Sequence, residues 1–303
     1  MSHIAKVSRL LMSVLFMGSA APVSADKVSS PERNITGFES IDEAQPLWEI
    51  GFGGGVVDVP DYPASSERNF IGLALPYVIY RGDFFRLGDG SARAILVENN
   101  NFEIDISVGG SFAAESNNNS VREGMPELDF LFEVGPQIIY RLRDFNFTNG
   151  GVGRLKVNLQ TRAVFSTDFS QIDHQGFVFQ PELSYQQRGV LFEDSAFDAA
   201  FSLVFATEKL QDYFYQVDNE FVSNNRSAFN ASGGFLGAEF STGISFSLHE
   251  NIRAFAGGSL RVHKGASNTD SPLFEKDITY SIGIGFIWRL YKSDAYASWE
   301  HSV

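Results

Sequence analysis

Arg154, Lys156 and Arg162 stand at even spacings along one stretch, so in a strand they share a face. Glu103 and Asp105 do the same in a second stretch, and Glu133 stands in a third. Ionisable side chains on one strand face can do two things inside a barrel. In an open pore they set ion preference. In a narrow lumen they pair with one another as salt bridges and fill it. A further candidate is the run Arg122, Glu123, Gly124, Met125 and Pro126 within the polar stretch 113–127. It reads either as a docking surface for a protein partner or as a structural turn in which Arg122 pairs with a nearby carboxylate.

Catalytic chemistry has little to stand on. Beyond the first 25 residues the histidines are His174, His249, His263 and His301, and none stands at a recognisable spacing from a nucleophile. Cysteine is absent, which excludes thiolate metal sites and thiol catalysis. No metal constellation, phosphate loop or dinucleotide fingerprint occurs, so no cofactor is expected. Arg81-Gly82-Asp83 spells an adhesion tripeptide, but Gly and Asp at that place serve a turn.

The elements that would carry these residues repeat one pattern. In 101–112, Phe102, Ile104, Ile106 and Val108 alternate with Glu103, Asp105, Ser107 and Gly109. A period of two is a strand with one apolar and one wet face. The pattern returns from Trp48, in 70–80, 92–97, 130–140, 155–165, 177–185, 197–205, 236–248 and 252–263, and last from Ile278 to Leu290. A weaker strand is read at 213–217, followed by a polar loop at 218–234. No helix of consequence and no domain boundary is expected. The polar faces are too regular and too wet for a soluble sandwich. The expected fold is all-β: a closed antiparallel transmembrane β-barrel of about twelve strands, ten being the alternative. Closure matters because no open sheet edge survives in hydrocarbon.

Composition agrees. The 303 residues include 29 Phe and 28 Gly, as alternating strands with aromatic girdles require. Residues 1–25 read as a Sec-type signal peptide, with Lys6 and Arg9, a short apolar run and small residues before Asp26. Residues 26–45 read as a flexible periplasmic lead-in, 46–290 as the barrel and 291–303 as a C-terminal tail. Removing 1–25 takes away two cations and no acid, moving the net charge from −14 to −16. That excludes nucleic acid as a partner. Loop parity, with the first strand rising from the periplasm, places 57–68, 218–234 and 264–277 outside. It places the turns at 81–90 and 249–251, and also 113–127, inside.

Two stretches carry a family resemblance. "DYPASSERNFIGLALPYVIYRGDFFR" (61–86) and "SVGGSFAAESNNNSVREGMPELDFLFEVGP" (107–136) resemble the two most distinctive regions of the MipA/OmpV family. Ala64 stands where that family commonly has Gly. Gly283, Phe286 and Trp288 look like a barrel assembly signal, although residues continue past Leu290. The resemblance implies an outer-membrane β-barrel in contact with outer-membrane lipid. It implies a non-enzymatic scaffold for peptidoglycan-processing enzymes, a periplasmic lytic transglycosylase (a murein hydrolase) and a murein synthase. The alternative is a narrow outer-membrane channel for small solutes.

Overall fold

The computed structural model describes residues 46–81, 85–88, 91–98, 102–111, 119–147, 151–191 and 195–295. The expected signal peptide, the lead-in and most of the tail lie outside these residues.

Twelve strands run in chain order: β1 (Trp48–Pro60), β2 (Arg68–Arg81), β3 (Phe85–Gly88), β4 (Ser91–Glu98), β5 (Phe102–Ser111), β6 (Phe130–Asn146), β7 (Val152–Thr167), β8 (Ile172–Arg188), β9 (Ala196–Ala206), β10 (Gly234–His249), β11 (Ile252–Val262) and β12 (Ile278–Lys292). Each pairs antiparallel with its sequence neighbour, and β12 returns to pair with β1, so the sheet closes on itself. Every strand therefore has a partner on both sides, which removes the edges that lipid would not tolerate.

The wall is inside out relative to a soluble protein. Ile278, Tyr280, Ile282, Ile284, Phe286, Trp288 and Leu290 all point outward from β12 and are exposed. On β7 the alternate residues Arg154, Lys156, Asn158 and Gln160 are buried in the interior. Exposed apolar and buried polar rows in one closed sheet suit a hydrocarbon surround. At one rim Arg68 pairs with Asp58 at 2.9 Å and lies over the Tyr280 ring at 3.8 Å.

β2 runs against this rule. Its register sets Ile71 beside Val57, Tyr77 beside Gly51 and Ile79 beside Glu49. Glu49 is only 5% exposed and interior, so this bulky apolar set faces inward. Phe70, on the outward face, is 74% exposed.

Three expectations are corrected. The chain between Arg81 and Ser91 makes a separate short strand, β3, hydrogen-bonded to both β2 and β4. That extra reversal shifts the parity of the connections after it. Segment 113–127 therefore connects β5 to β6 at the same end as the connections 61–67, 207–233 and 263–277, not beside the 250–251 turn. The stretch expected as a strand at 213–217 belongs mainly to a helix, α1 (Glu208–Tyr215). Tyr213, Tyr215 and Val217 alternate, but Leu210, Gln211, Phe214 and Tyr215 are buried together, at the spacing of one helical face. A 3-10 turn, Asn219–Phe221, comes next.

The apolar core sits at this loop end. Leu131, Val164, Val178, Val204, Ala206 and Leu236, from the upper inner faces of β6–β10, pack with Tyr62, Met125, Leu128, Leu210, Phe214, Tyr215, Val217 and Leu273 from the connections. The long connections form a packed cap over one mouth of the barrel.

Candidate functional site

The barrel interior has two unlike walls. β5–β8 carry the charged one. Glu103 and Asp105 are fully buried. Gln137 donates to Asp105 Oδ2 at 2.9 Å. Glu133 on β6 pairs with Arg162 on β7 at 2.7 Å, and Arg162 also donates to Gln160 and Gln180. Arg154 pairs with Asp144 at 2.8 Å, with Arg141 on the same carboxylate at 3.6 Å. Lys156 Nζ donates to Gln186 Oε1 at 3.0 Å. The six residues predicted from spacing thus share the interior face; the register sets Arg154 directly against Asp144, and Glu133 reaches Arg162 diagonally across the β6–β7 pair. A cation held by a carboxylate in a narrow lumen is already neutralised, which favours filling the space over selecting ions.

The opposite wall, β1, β2, β11 and β12, has an apolar middle of mostly small residues between charged ends. Gly51, Gly53 and Gly55 face inward from β1 beside Arg289, Ile287 and Gly285 of β12. A Cβ on Gly51 would sit 2.0 Å from the Trp288 carbonyl oxygen and 2.6 Å from the Tyr77 ring, so glycine is needed where these strands and Tyr77 crowd together. A cavity of about 290 Å³ opens on this wall. Toward the turn end the wall closes on an ion-pair trio: buried Glu49 accepts from buried Arg81 at 2.8 Å and from half-buried Arg289 at 3.4 Å.

Segment 122–126 is part of the cap. Arg122 is 4% exposed and donates to the carbonyls of Phe214 (3.1 Å) and Pro126 (3.2 Å). Its guanidinium also lies 5.6 Å over the Tyr62 ring, and burial lowers its pKa. Met125 is buried in the apolar core, whereas Glu123, Gly124 and Pro126 are exposed. Arg226, from the connection after α1, reaches back to the carbonyls of Val121 (2.7 Å) and Glu123 (3.1 Å). The connection after β1 joins them: Asn119 donates to Asp61 Oδ2 at 2.8 Å, and Glu67 accepts from the Ser120 main chain at 2.8 Å.

His263, fully buried at the end of β11, locks the cap to the barrel. Its Nε2 lies 3.2 Å from the Ala64 N–H and 2.9 Å from Thr279 Oγ1, and its Nδ1 lies 3.2 Å from the Leu236 carbonyl. Burial pushes its pKa down to about 4. Sequence spacing did not single out this residue, because its partners come from three separate connections or strands. His174 of β8 packs against Phe165 of β7 and Phe177 of β8. Among the described residues no group of three or more His, Asp or Glu could hold a metal.

A family model described as MltA-interacting protein MipA matches residues 52–290. No curated protein matches the chain. Among solved structures, OmpT, an outer membrane protein of Vibrio cholerae, is 9% identical, covering 80% of this chain and 98% of its own, with a TM-score of 0.29. The Pseudomonas putida toluene transporter TodX is 9% identical, covering 81% and 68%, with a TM-score of 0.28. Ail, the attachment invasion locus protein of Yersinia pestis, is 10% identical, covering 82% and 99%, with a TM-score of 0.17.

Proposed function

The chain belongs to the MltA-interacting protein MipA family, a family of outer-membrane barrels, and from that premise we propose that it is a non-enzymatic barrel acting by contact rather than by conduction. The observation that carries this reading is the apolar core formed by the connections over one mouth. A conducting pore needs a continuous wet path, whereas this mouth is packed with Tyr62, Met125, Phe214, Tyr215 and Leu273. The ion pairs lower in the lumen act in the same sense.

The contact is with peptidoglycan-processing enzymes, a lytic transglycosylase and a murein synthase, as the family's name suggests for the former. Described residues 46 and 295 flank β1 and β12 at the turn end, so in an outer-membrane barrel exported through a signal peptide this end is periplasmic. The capped end then faces outward. The docking surface for a murein enzyme accordingly lies on the turn side and not at Arg122–Pro126, whose exposed edge, Glu123, Gly124 and Pro126, can contact only what approaches the outer face. Site-specific photocross-linking in growing cells tests this. Capture of a murein hydrolase from residues 250–251 supports the reading, and capture from 123 instead overturns the assignment of ends.

The narrow-channel reading has one observation in its favour: Phe255 faces the interior and is still 37% exposed, so the lumen below the cap is not filled. Planar-bilayer recordings of the refolded mature chain separate the two. A silent, folded barrel is the expected result. Steady openings whose ion preference shifts on neutralising Arg154, Lys156 and Arg162 establish the channel.

A further inference from the structure

We propose that the apolar wall of the barrel interior binds the chain of a single-chain anionic amphiphile, such as a medium-length fatty acid. The cavity of about 290 Å³ takes in Val57, Ile71 and Phe255, glycines of β1, β11 and β12, and their outward-pointing neighbours Val56, Ala256 and Ile284, with almost no polar surface. Val57, Ile71 and Phe255 lie on the interior face. Phe255 pairs with Ser245, which is 2% exposed, and with Gly285. Val57 pairs with both Ile71 and Gly283.

An apolar patch inside a barrel lumen carries a cost. Lumen-facing positions are ordinarily polar, and apolar surface facing water loses about 25 cal/mol per Å². Here β2 turns Ile71, Tyr77 and Ile79 inward and, past Phe70, mostly smaller residues outward, the reverse of what β12 does. Phe255, whose cross-strand partners are Ser245 and Gly285, is still 37% exposed to the lumen, so an occupant rather than a neighbouring side chain is what would cover it.

Shape and charge select that occupant. The depression is open along the lumen, so it suits a chain laid along the wall rather than an enclosed ring. The lining crosses four adjacent strands, about 14 Å at a strand spacing of about 4.8 Å, yet spans few residues along each. That is a slot for an extended chain. Rows of glycine flatten it. Two residues from Phe255 on the same face, Arg253 is steadied by Ser245 Oγ (3.1 Å) and Ser247 Oγ (3.4 Å). Its Cα stands about 7 Å along the strand from that of Phe255, so at this end of the slot a carboxylate head is attracted and a quaternary ammonium is repelled.

The test is binding of 11-(dansylamino)undecanoic acid to the full mature barrel in phosphatidylcholine nanodiscs, against empty nanodiscs. Saturable binding of one probe per barrel is expected. Decanoate should displace it about tenfold more effectively than decyltrimethylammonium. Phe255→Glu, which sets a charge in the slot, should weaken binding about tenfold or more, and Phe255→Leu should retain it within about threefold. Ile71→Asn repeats the test from β2, and heat-modifiable migration confirms that each variant is folded. Arg253→Gln should remove the preference for the acid. Non-saturable uptake equal to that of empty discs, or unchanged binding in folded Phe255→Glu and Ile71→Asn, overturns the proposal.

Discussion

The Ala64 N–H points at Nε2 of His263 across 3.2 Å, joining the first connection of the chain to the last through two fully buried residues. The bond needs Nε2 to be an acceptor, hence a neutral imidazole with its proton on Nδ1, directed at the Leu236 carbonyl. Protonation would set two N–H groups against each other. Arg261 opposes that protonation too, while Glu239 and Asp277 favour it. With the pKa at about 4 in the fold and about 6.5 unfolded, the unfolded state binds the extra proton between these values. The contribution of His263 is therefore complete above pH 6.5 and lost as the pH falls through 4, up to about 3 kcal/mol. Asp61 acts in the opposite direction: desolvation raises its pKa, so acid relieves it. Comparing wild type with His263→Gln isolates the histidine. Urea midpoints for the cap, followed by proteolysis of the connections, should fall between pH 6.5 and 4 in wild type and change far less in the variant.

Ala64 itself has φ of 66°, left-handed backbone that costs a non-glycine residue about 1–2 kcal/mol. Its carbonyl accepts from the N–H groups of both Glu275 and Lys276, so the conformation is held from two sides. Ala64→Gly removes the strain and loses one buried methyl, worth about 0.8 kcal/mol. The expected net effect is neutral to stabilising, below about 1 kcal/mol. Ala64→Val adds β-branching to the same φ and should cost about 2 kcal/mol or more. Denaturation midpoints of the two variants against wild type check the order, and a less stable Gly variant would contradict it.

Arg122 holds two cap segments through main-chain carbonyls, one of them at the end of α1. Arg122→Ala leaves the Phe214 and Pro126 carbonyls short of a donor in a buried place, at about 2–3 kcal/mol. The barrel strands do not depend on it. Limited proteolysis should therefore cut the connections at 119–129 and 207–233 sooner while the strand core stays protected. In planar bilayers the same variant should flicker open where wild type stays shut. Equal protection in both proteins would show that the cap does not rest on this residue.

Strands such as 102–111 and 278–292 were legible because a closed membrane wall keeps strict alternation: one face meets lipid and the other meets the lumen. The interior placement of Glu103, Asp105, Glu133, Arg154, Lys156 and Arg162 came from that same period. The misreadings had local causes. Four residues at 85–88 are too few to show a period, and missing that one strand reverses the end assigned to 113–127. In 208–215 the helical spacing of Leu210 and Phe214 competes with an alternating aromatic series in the same residues. The inward turn of β2 was hidden because both its faces are apolar, so only its register against the glycines of β1 separates them. The cap core was out of reach, since it joins Tyr62, Met125, Phe214 and Leu273, residues brought together only by the fold.

At the opposite end, Glu49 is 5% exposed and carries both Arg81 and Arg289. These residues come from β1, β2 and β12, so the carboxylate sits on the seam where the last strand meets the first. Arg81 also donates to the Pro46 carbonyl, and Arg289 to the Glu250 carbonyl, which ties the chain start and the 250–251 turn to the same point. Glu49→Gln keeps the shape and removes the charge. Two guanidinium groups then face each other in a poorly solvated site, and breaking a buried pair in this way costs about 3–5 kcal/mol. The loss should fall on closure rather than on individual strands. Refolding into detergent should yield less heat-modifiable barrel, and disulfide trapping between cysteines placed at Phe52 and Trp288, which pair across the seam, should slow. Adding Arg289→Gln to Glu49→Gln removes one of the two facing cations and should recover part of the folding yield. Failure of that rescue would mean that the trio contributes packing rather than charge balance.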